Sequence, residues 1–371
     1  MRVLLVRSGP QNGGVERLLV WLARGLLAQG VDVGAVALYR RAPGRAPVPR
    51  WLTAVKALGG RVWTIPDSHP WDFSALAAFY RVVGTFRPDV VHTHDYKGDM
   101  FAWLTAREHW LPTAHGFTAS DFRVRWYERL DRALLRRART VLVPSSHGAR
   151  VLARAGVEPA RVRVIPHGLD WDAMDAWAAA PLPEAASAHL QQGPILTFVG
   201  RLSREKGGDA IVRVFAKIAE DHPSARLWFV GEGARRREWQ RLARGTPVAD
   251  RIHFWGWREN PFPFIRASTA LLLPTRGEFF GLSAVEALGL GVPVITHRTG
   301  ILAQGLDALE SLFLPPRGEP WDRAVRHVLA RPEEIRRQAR TARASVRERF
   351  PVAAMVQAHR RVYAEHLGRG R

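Results

Sequence analysis

Two basic and two acidic side chains stand out for the chemistry they could do together. Arg201 and Lys206 lie in Val199-Gly200-Arg201-Leu202-Ser203-Arg204-Glu205-Lys206-Gly207, just past an apolar, strand-like run at Ile195–Val199. Two cations at the carboxyl end of a strand can neutralise a diphosphate, and they matter most when negative charge grows as a bond to phosphate breaks. Lys206 is one of only four lysines among 55 basic residues, so arginine-rich composition does not account for it, whereas a solvated basic loop would account for Arg201. Glu278 and Glu286 are eight apart in the segment Pro274–Leu288, the first on a loop and the second on the helix that follows. Between them, Phe280-Gly281-Leu282 opens the helix and can aim backbone N–H groups at a phosphate. A carboxylate one turn further in can accept both hydroxyls of a ribose. The helix dipole alone would favour an acid near the start. That covers Glu278 but not Glu286, which sits among Val285, Ala287 and Leu288.

Gly13-Gly14-Val15-Glu16-Arg17 forms a second glycine-containing turn. Paired glycines let backbone N–H groups approach a ligand, and the helix that follows adds partial positive charge. A plain strand–helix turn accounts for the same residues equally well, and the segment is not a G-x-G-x-x-G dinucleotide fingerprint. His115, in Thr113-Ala114-His115-Gly116-Phe117, follows a strand-like segment and is a candidate site residue. His92 and His94 precede Asp95 at a strand end and read mainly as structural, with acceptor contact as the functional alternative.

These residues need a scaffold, and the chain supplies one twice. The run at 3–6 is strand-like, and from Val15 the apolar spacing turns helical through Leu18, Leu19, Leu22 and Leu26. Strands are expected at 31–38, 62–65, 90–92, 141–144 and 162–165. The composition then shifts to an Ala/Pro-rich stretch, 178–186, closed by Gln191-Gln192-Gly193-Pro194, which predicts a linker over 173–193. The pattern restarts with strands at 195–199, 227–230, 252–255, 271–274 and 292–295, and helices at 211–219 and 282–290. An arginine-rich helical tail begins at Pro332 and breaks at Phe350-Pro351. Strands alternating with helices predict parallel sheets covered on both faces, an α/β class. The predicted division is 1–172 with the tail helix 351–371, then the linker, then 194–350.

Composition narrows the setting. The 371 residues suit two domains, and the absence of cysteine excludes disulfides, thiolate nucleophiles and cysteine-bound metals, in keeping with a reducing cytoplasm. No apolar run approaches the roughly 20 residues needed to span a bilayer. The start, running into Arg7, Ser8 and Gly9, reads as a buried strand rather than a signal peptide. The net charge of +21 favours polyanions such as nucleotide phosphates or anionic lipid.

Together the motifs resemble a known family. Gly-Gly-Val-Glu-Arg (13–17), Ile-Pro-His-Gly-Leu-Asp (165–170), Gly-Arg-Leu-x-x-Glu-Lys-Gly (200–207), Gly-Glu-Gly (231–233), and Glu-x7-Glu followed by Gly-Val-Pro-Val-Ile (291–295) are similar in order and spacing to the retaining glycosyltransferases of family 4, or group 1. The resemblance spans nearly the whole chain and is stronger in its second half. It implies the GT-B fold: two Rossmann-like, doubly wound parallel-sheet domains facing a central cleft. It implies a nucleotide diphosphate sugar as donor, UDP-sugar favoured over GDP-sugar. The acceptor would be a glycan, a lipopolysaccharide or a lipid-linked sugar, and neither a metal nor a separate cofactor would be needed. Arg201 and Lys206 would bind the diphosphate, Glu286 the ribose and Glu278 the transferred sugar. Phe280, Gly281 and Leu282 would present backbone to phosphate or sugar, Gly13 and Gly14 would approach the donor, and His115 would be the active-site histidine.

Two departures bear on donor-sugar identity: His stands at 167 where the family usually has Asn, and Thr299–Ala303 lacks the family's frequent glutamate. A nucleotide-sugar 2-epimerase of the same architecture is the alternative enzyme, and a polyanion-binding protein without catalysis is the alternative outside enzymology. The segment Arg123–Arg139 reads as a basic amphipathic helix with Trp126 and Tyr127. Packing of its apolar stripe on the sheet is the simpler account. Its arginines, however, suggest an anionic membrane surface as a further partner, with the enzyme peripheral on the cytoplasmic face and no specific nucleic acid bound.

Overall fold

The structure is a computed structural model that describes residues 1–371 except 9–12, 40–47, 70, 118–121, 276, 298, 304–311, 314–320 and 369–371. It divides into two units, Met1–Leu169 with Phe350–Arg371, and Asp170–Arg349.

The first unit runs β1 (Arg2–Ser8), α1 (Gly14–Leu27), β2 (Asp32–Tyr39), α2 (Arg50–Ala57), β3 (Arg61–Pro66), α3 (Phe73–Phe86), β4 (Val90–Thr93), α4 (Tyr96–Thr105), β5 (Trp110–Pro112), α5 (Phe122–Leu135), β6 (Val141–Val143), α6 (Ser146–Arg154) and β7 (Val162–Val164). A parallel sheet in the order β3-β2-β1-β4-β5 forms its centre, and a bridge from Thr113 to Leu142 leads on to the parallel pair β6-β7. Leu19, Leu22 and Leu26 of α1 bury themselves against Val3 and Leu5 of β1, as the helical spacing requires. Helix starts carry their expected caps: Asp72 accepts from Ala75, Asp95 from Lys97 and Gly98, and Ser145 from Gly148. The C-terminal helix, Val352–Gly368, adds Met355, Val356, Val362 and Tyr363 to the same core.

In the second unit, α7 (Trp171–Ala178) and α8 (Glu184–Leu190) precede β8 (Ile195–Val199), α9 (Gly208–Ile218), β9 (Arg226–Val230), α10 (Arg236–Arg244), β10 (Ile252–Gly256), α11 (Phe262–Ala267), β11 (Ala270–Leu273), α12 (Leu282–Gly289), β12 (Val294–Thr296), β13 (Leu312–Phe313), α13 (Trp321–Ala330) and α14 (Pro332–Arg349). The strands form one parallel sheet, β10-β9-β8-β11-β12-β13. Both units are therefore Rossmann-like α/β layers.

The structure differs from expectation at three places. Residues 173–193, expected as a linker, carry most of α7 and all of α8 and cluster with the second unit. Asp170 caps α7, Asp175 is gripped by Arg343 and Arg347 at 2.6–2.7 Å, and His189 Nδ1 accepts from the Trp228 indole at 3.1 Å. Alanine-rich composition here is helix propensity rather than looseness. The strand expected at 292–295 starts two residues later, because Val292-Pro293 completes the turn out of α12. The helix expected over 123–139 ends at Leu135, and Arg137 and Ala138 form a turn to Leu134 and Leu135.

Candidate functional site

Chain order in the second sheet reverses between β8 and β11. In open parallel sheets, ligands bind outside the carboxyl ends of strands at such a reversal. The loop after β8 carries Arg201 and Lys206, and the loop after β11 carries Glu278. Lys206 Nζ donates to Glu278 Oε1, which joins positions 72 apart in sequence. Thr275 Oγ1 lies 3.4 Å from the same oxygen. Both charged side chains are about four-fifths buried, at 22% and 21% exposure. Gly207 makes the approach of the two loops feasible: it has φ of 67°, and a Cβ there would lie 2.7 Å from the Pro274 carbonyl.

Arg201 points elsewhere. It is 55% exposed and 3.7 Å from Glu205, whose Oε1 also accepts from Ser203 Oγ at 2.6 Å. Gly281, with φ of 92°, is the N-cap of α12 and brings no side-chain acceptor to the helix's first N–H groups. The Phe280 carbonyl accepts from Ile301 N at 3.0 Å, which pins the loop to the turn at Gly300–Ala303. Leu282 is the first helical residue, and Glu286 is buried at 2% exposure in the second turn. The structure thus joins Lys206 with Glu278, orders Phe280, Gly281 and Leu282 beside them in sequence, and leaves Arg201 on the surface of its loop.

The first sheet reverses between β1 and β4. Here the N–H of Gly13, a residue expected to approach the donor, donates to Glu16 Oε2 at 2.8 Å. Glu16 Oε1 accepts from Arg7 Nε at 2.9 Å, Arg7 Nη1 donates to the His94 carbonyl at 2.9 Å, and Arg7 Nη1 lies 3.5 Å from Asp95. Burial opposes the charge on Arg7, but Glu16 and Asp95 outweigh it and raise its pKa. Gly14 simply opens α1. The sequence reading passed over Arg7, although a charge at the end of an apolar strand is itself a signal.

His94 follows β4, and His115 follows β5, the adjacent strand. His94 Nδ1 and His115 Nε2 are 3.0 Å apart. His92, buried within β4, is held between the Tyr363 hydroxyl at 2.8 Å and Thr113 Oγ1 at 2.6 Å. The His115 ring stacks on His167 at 5.3 Å, and His359 of the C-terminal helix lies 5.4 Å from His92. Burial pushes all five histidines down, His167 to about 3 and His359 to about 4. The cluster stays neutral near pH 7. Among the described residues, no three His, Asp or Glu side chains are placed to hold a metal ion.

Two Rossmann-like units, each with its polar groups gathered where strand order reverses, define the GT-B glycosyltransferase architecture. The family description Glycosyltransferase Family 4 matches residues 12–173, and Glycosyl transferases group 1 matches residues 193–330. The D-inositol 3-phosphate glycosyltransferase of Acidothermus cellulolyticus is 27% identical over 83% of this chain and 75% of its own. The GDP-mannose-dependent alpha-(1-6)-phosphatidylinositol dimannoside mannosyltransferase of Mycobacterium tuberculosis is 26% identical over 93% and 92%. The crystal structure of Anabaena HepE in complex with UDP and glucose superimposes with a TM-score of 0.82 at 17% identity, covering 98% of this chain and 100% of that one. The chain belongs to the family 4, group 1 glycosyltransferases.

Proposed function

We propose that this enzyme is a retaining, metal-independent glycosyltransferase that moves a hexose from a nucleotide diphosphate sugar to a glycan, lipopolysaccharide or lipid-linked acceptor. The observation that carries the reading is the Lys206–Glu278 pair at the reversal of the second sheet. A cation and an acid side by side suit a ligand that is anionic at one end and hydroxyl-bearing at the other. Lys206 and Arg201 take the diphosphate, Glu278 turns to the sugar hydroxyls, Glu286 takes the ribose, and the start of α12 faces phosphate. Gly14 backs the first-unit loop, and His115 meets a sugar hydroxyl.

In front-face displacement the bond from the sugar C1 to the diphosphate oxygen breaks. The acceptor oxygen bonds C1 on the same face, and its proton passes to the departing phosphate oxygen. Lys206 stabilises the charge that develops there. UDP is favoured as the nucleotide. It is the one bound in the Anabaena structure, while the mycobacterial relative is named for GDP-mannose. A thermal-shift screen over UDP-, GDP- and ADP-sugars tests the assignment: stabilisation by none of them would refute it.

The membrane part of the proposal places the enzyme on the inner face of the cytoplasmic membrane. It draws support from exposed Trp126 and Arg129 on α5 and from the net charge. Tyr127 instead stacks on Tyr96 at 4.9 Å, Arg132 covers Phe117 at 4.4 Å, and Arg139 pairs with Glu108, so much of the expected basic face is tied to protein. Flotation with phosphatidylglycerol vesicles decides: salt-sensitive binding is expected, and none at low salt would remove the membrane from the proposal.

A further inference from the structure

The contact between His94 and His115 carries an inference that rests on the active-site reading of His115 and goes beyond it. Two neutral imidazoles share two N–H protons among four nitrogens. One proton lies in the 3.0 Å contact between His94 Nδ1 and His115 Nε2. The other must sit on His94 Nε2 or on His115 Nδ1. Both atoms are buried without a hydrogen-bond partner among the described residues. One is therefore a donor and the other a bare lone pair: with the shared proton on His94 Nδ1 the donor is His115 Nδ1, and with it on His115 Nε2 the donor is His94 Nε2. Of the two rings, His94 is 4% exposed while His115 is half-buried and precedes exposed Gly116, so His115 is the ring that a substrate can approach.

His94 is built to hold its neighbour. Its carbonyl accepts from Arg7, its N–H donates to the Val6 carbonyl at 3.2 Å, and its ring lies 4.1 Å from the His92 ring. His92 is fixed in turn by Tyr363 and Thr113. We propose that His94 is a positioning residue: by occupying Nε2 of His115 it fixes that ring and its tautomer and leaves Nδ1 as the ring nitrogen for a substrate hydroxyl. Neutrality of both rings fits this arrangement. Burial, then His92, His115, Arg7 and His359, push His94 down, and burial, then His167, Arg7, His92 and His359, push His115 down.

The test compares His94→Asn, whose amide nearly overlays imidazole Nδ1, with His94→Phe, which keeps bulk and loses the hydrogen bond. The assay is UDP release from UDP-glucose, or from whichever nucleotide sugar stabilises the parent enzyme. Nitrogen-15 chemical shifts of the His115 ring are read alongside it. Phe is expected to lower kcat about 10- to 100-fold, the scale of a misplaced reacting group, with donor KM within about twofold. It should also alter the His115 tautomer balance, and Asn should restore both readouts. Equal losses in Asn and Phe, or unchanged His115 nitrogen shifts in Phe, overturn the positioning role. A folded His115→Ala enzyme with unchanged turnover overturns the active-site reading itself, and the nitrogen shifts tell that failure apart.

Discussion

Replacing Lys206 with alanine should weaken nucleoside diphosphate binding by about 10- to 150-fold. The figure comes from the pair it forms with Glu278. Both side chains are about one-fifth exposed, so solvent screens them only partly. A hydrogen bond to a charged group in such a setting contributes about 1.5–3 kcal/mol, which converts to that range of affinity. The loss has two parts, a missing cation and a Glu278 carboxylate left to repel the incoming phosphate. Glu278→Gln separates them. By itself it removes the competitor for Lys206, so a nucleotide without its sugar should bind as tightly as to the parent, or more tightly. In the Lys206→Ala background it should recover part of the loss. Titration calorimetry at about 0.1 M salt, with UDP and GDP run in parallel, measures all four proteins of the cycle. If folded Lys206→Ala binds the nucleotide within about twofold of the parent, the diphosphate does not sit on Lys206 and the site assignment fails.

Acid should destabilise the protein through its histidines. Unfolded, each binds a proton near pH 6.5; folded, burial withholds it to about pH 3 at His167 and about pH 4 at His359, so the unfolded state binds more protons in between. Stability then falls by about 1.4 kcal/mol for each unit that the pH drops, for each such group, and His167→Asn should flatten the melting-temperature slope between pH 6 and 4. Asp131 and Asp99 act in the opposite sense. Burial raises both carboxyls, the folded state keeps protons the unfolded chain has lost, and stability drops as pH rises, so Asp131→Asn should raise Tm more at pH 8 than at pH 6. Gly231→Ala would put a Cβ 1.9 Å from the Gly200 carbonyl at φ of 143°, and should cost about 3 kcal/mol or more; a urea melt within about 1 kcal/mol of the parent would refute the close approach. Asp175→Ala should lower Tm by stripping both arginines of their acceptor, and Arg347→Lys should not substitute for Arg347, whose Nε also donates to the Gly289 carbonyl at 2.7 Å.

Much of this was legible in the residues themselves. The restart at Ile195–Val199, the Lys206 loop and the Gly281 helix start each follow from local pattern, and each element lies where its spacing puts it. Side-chain pairing across the sheet was not legible. Nothing local links Lys206 to Glu278; strand order brings them together. Gly13 looked free because its partner Glu16 reads as an ordinary first-turn acid. Strand β5 registers in sequence only as a strand-like segment before His115, without bounds, because it is three residues long and ends in proline, too short for alternation to show. The His94–His115 contact depends on β4 and β5 being neighbours, which the spacing of histidines in sequence does not encode.

Building the first unit's core partly from Val352–Gly368 has a consequence for synthesis on the ribosome. Tyr363 and His359, which back the histidine cluster, leave the exit tunnel only after all of Asp170–Arg349 has been made. The half translated first is thus the last to complete its interior, while the half translated second can close beforehand. A message truncated after the codon for Arg349 would yield a nascent product with a finished second unit and an open, aggregation-prone first one.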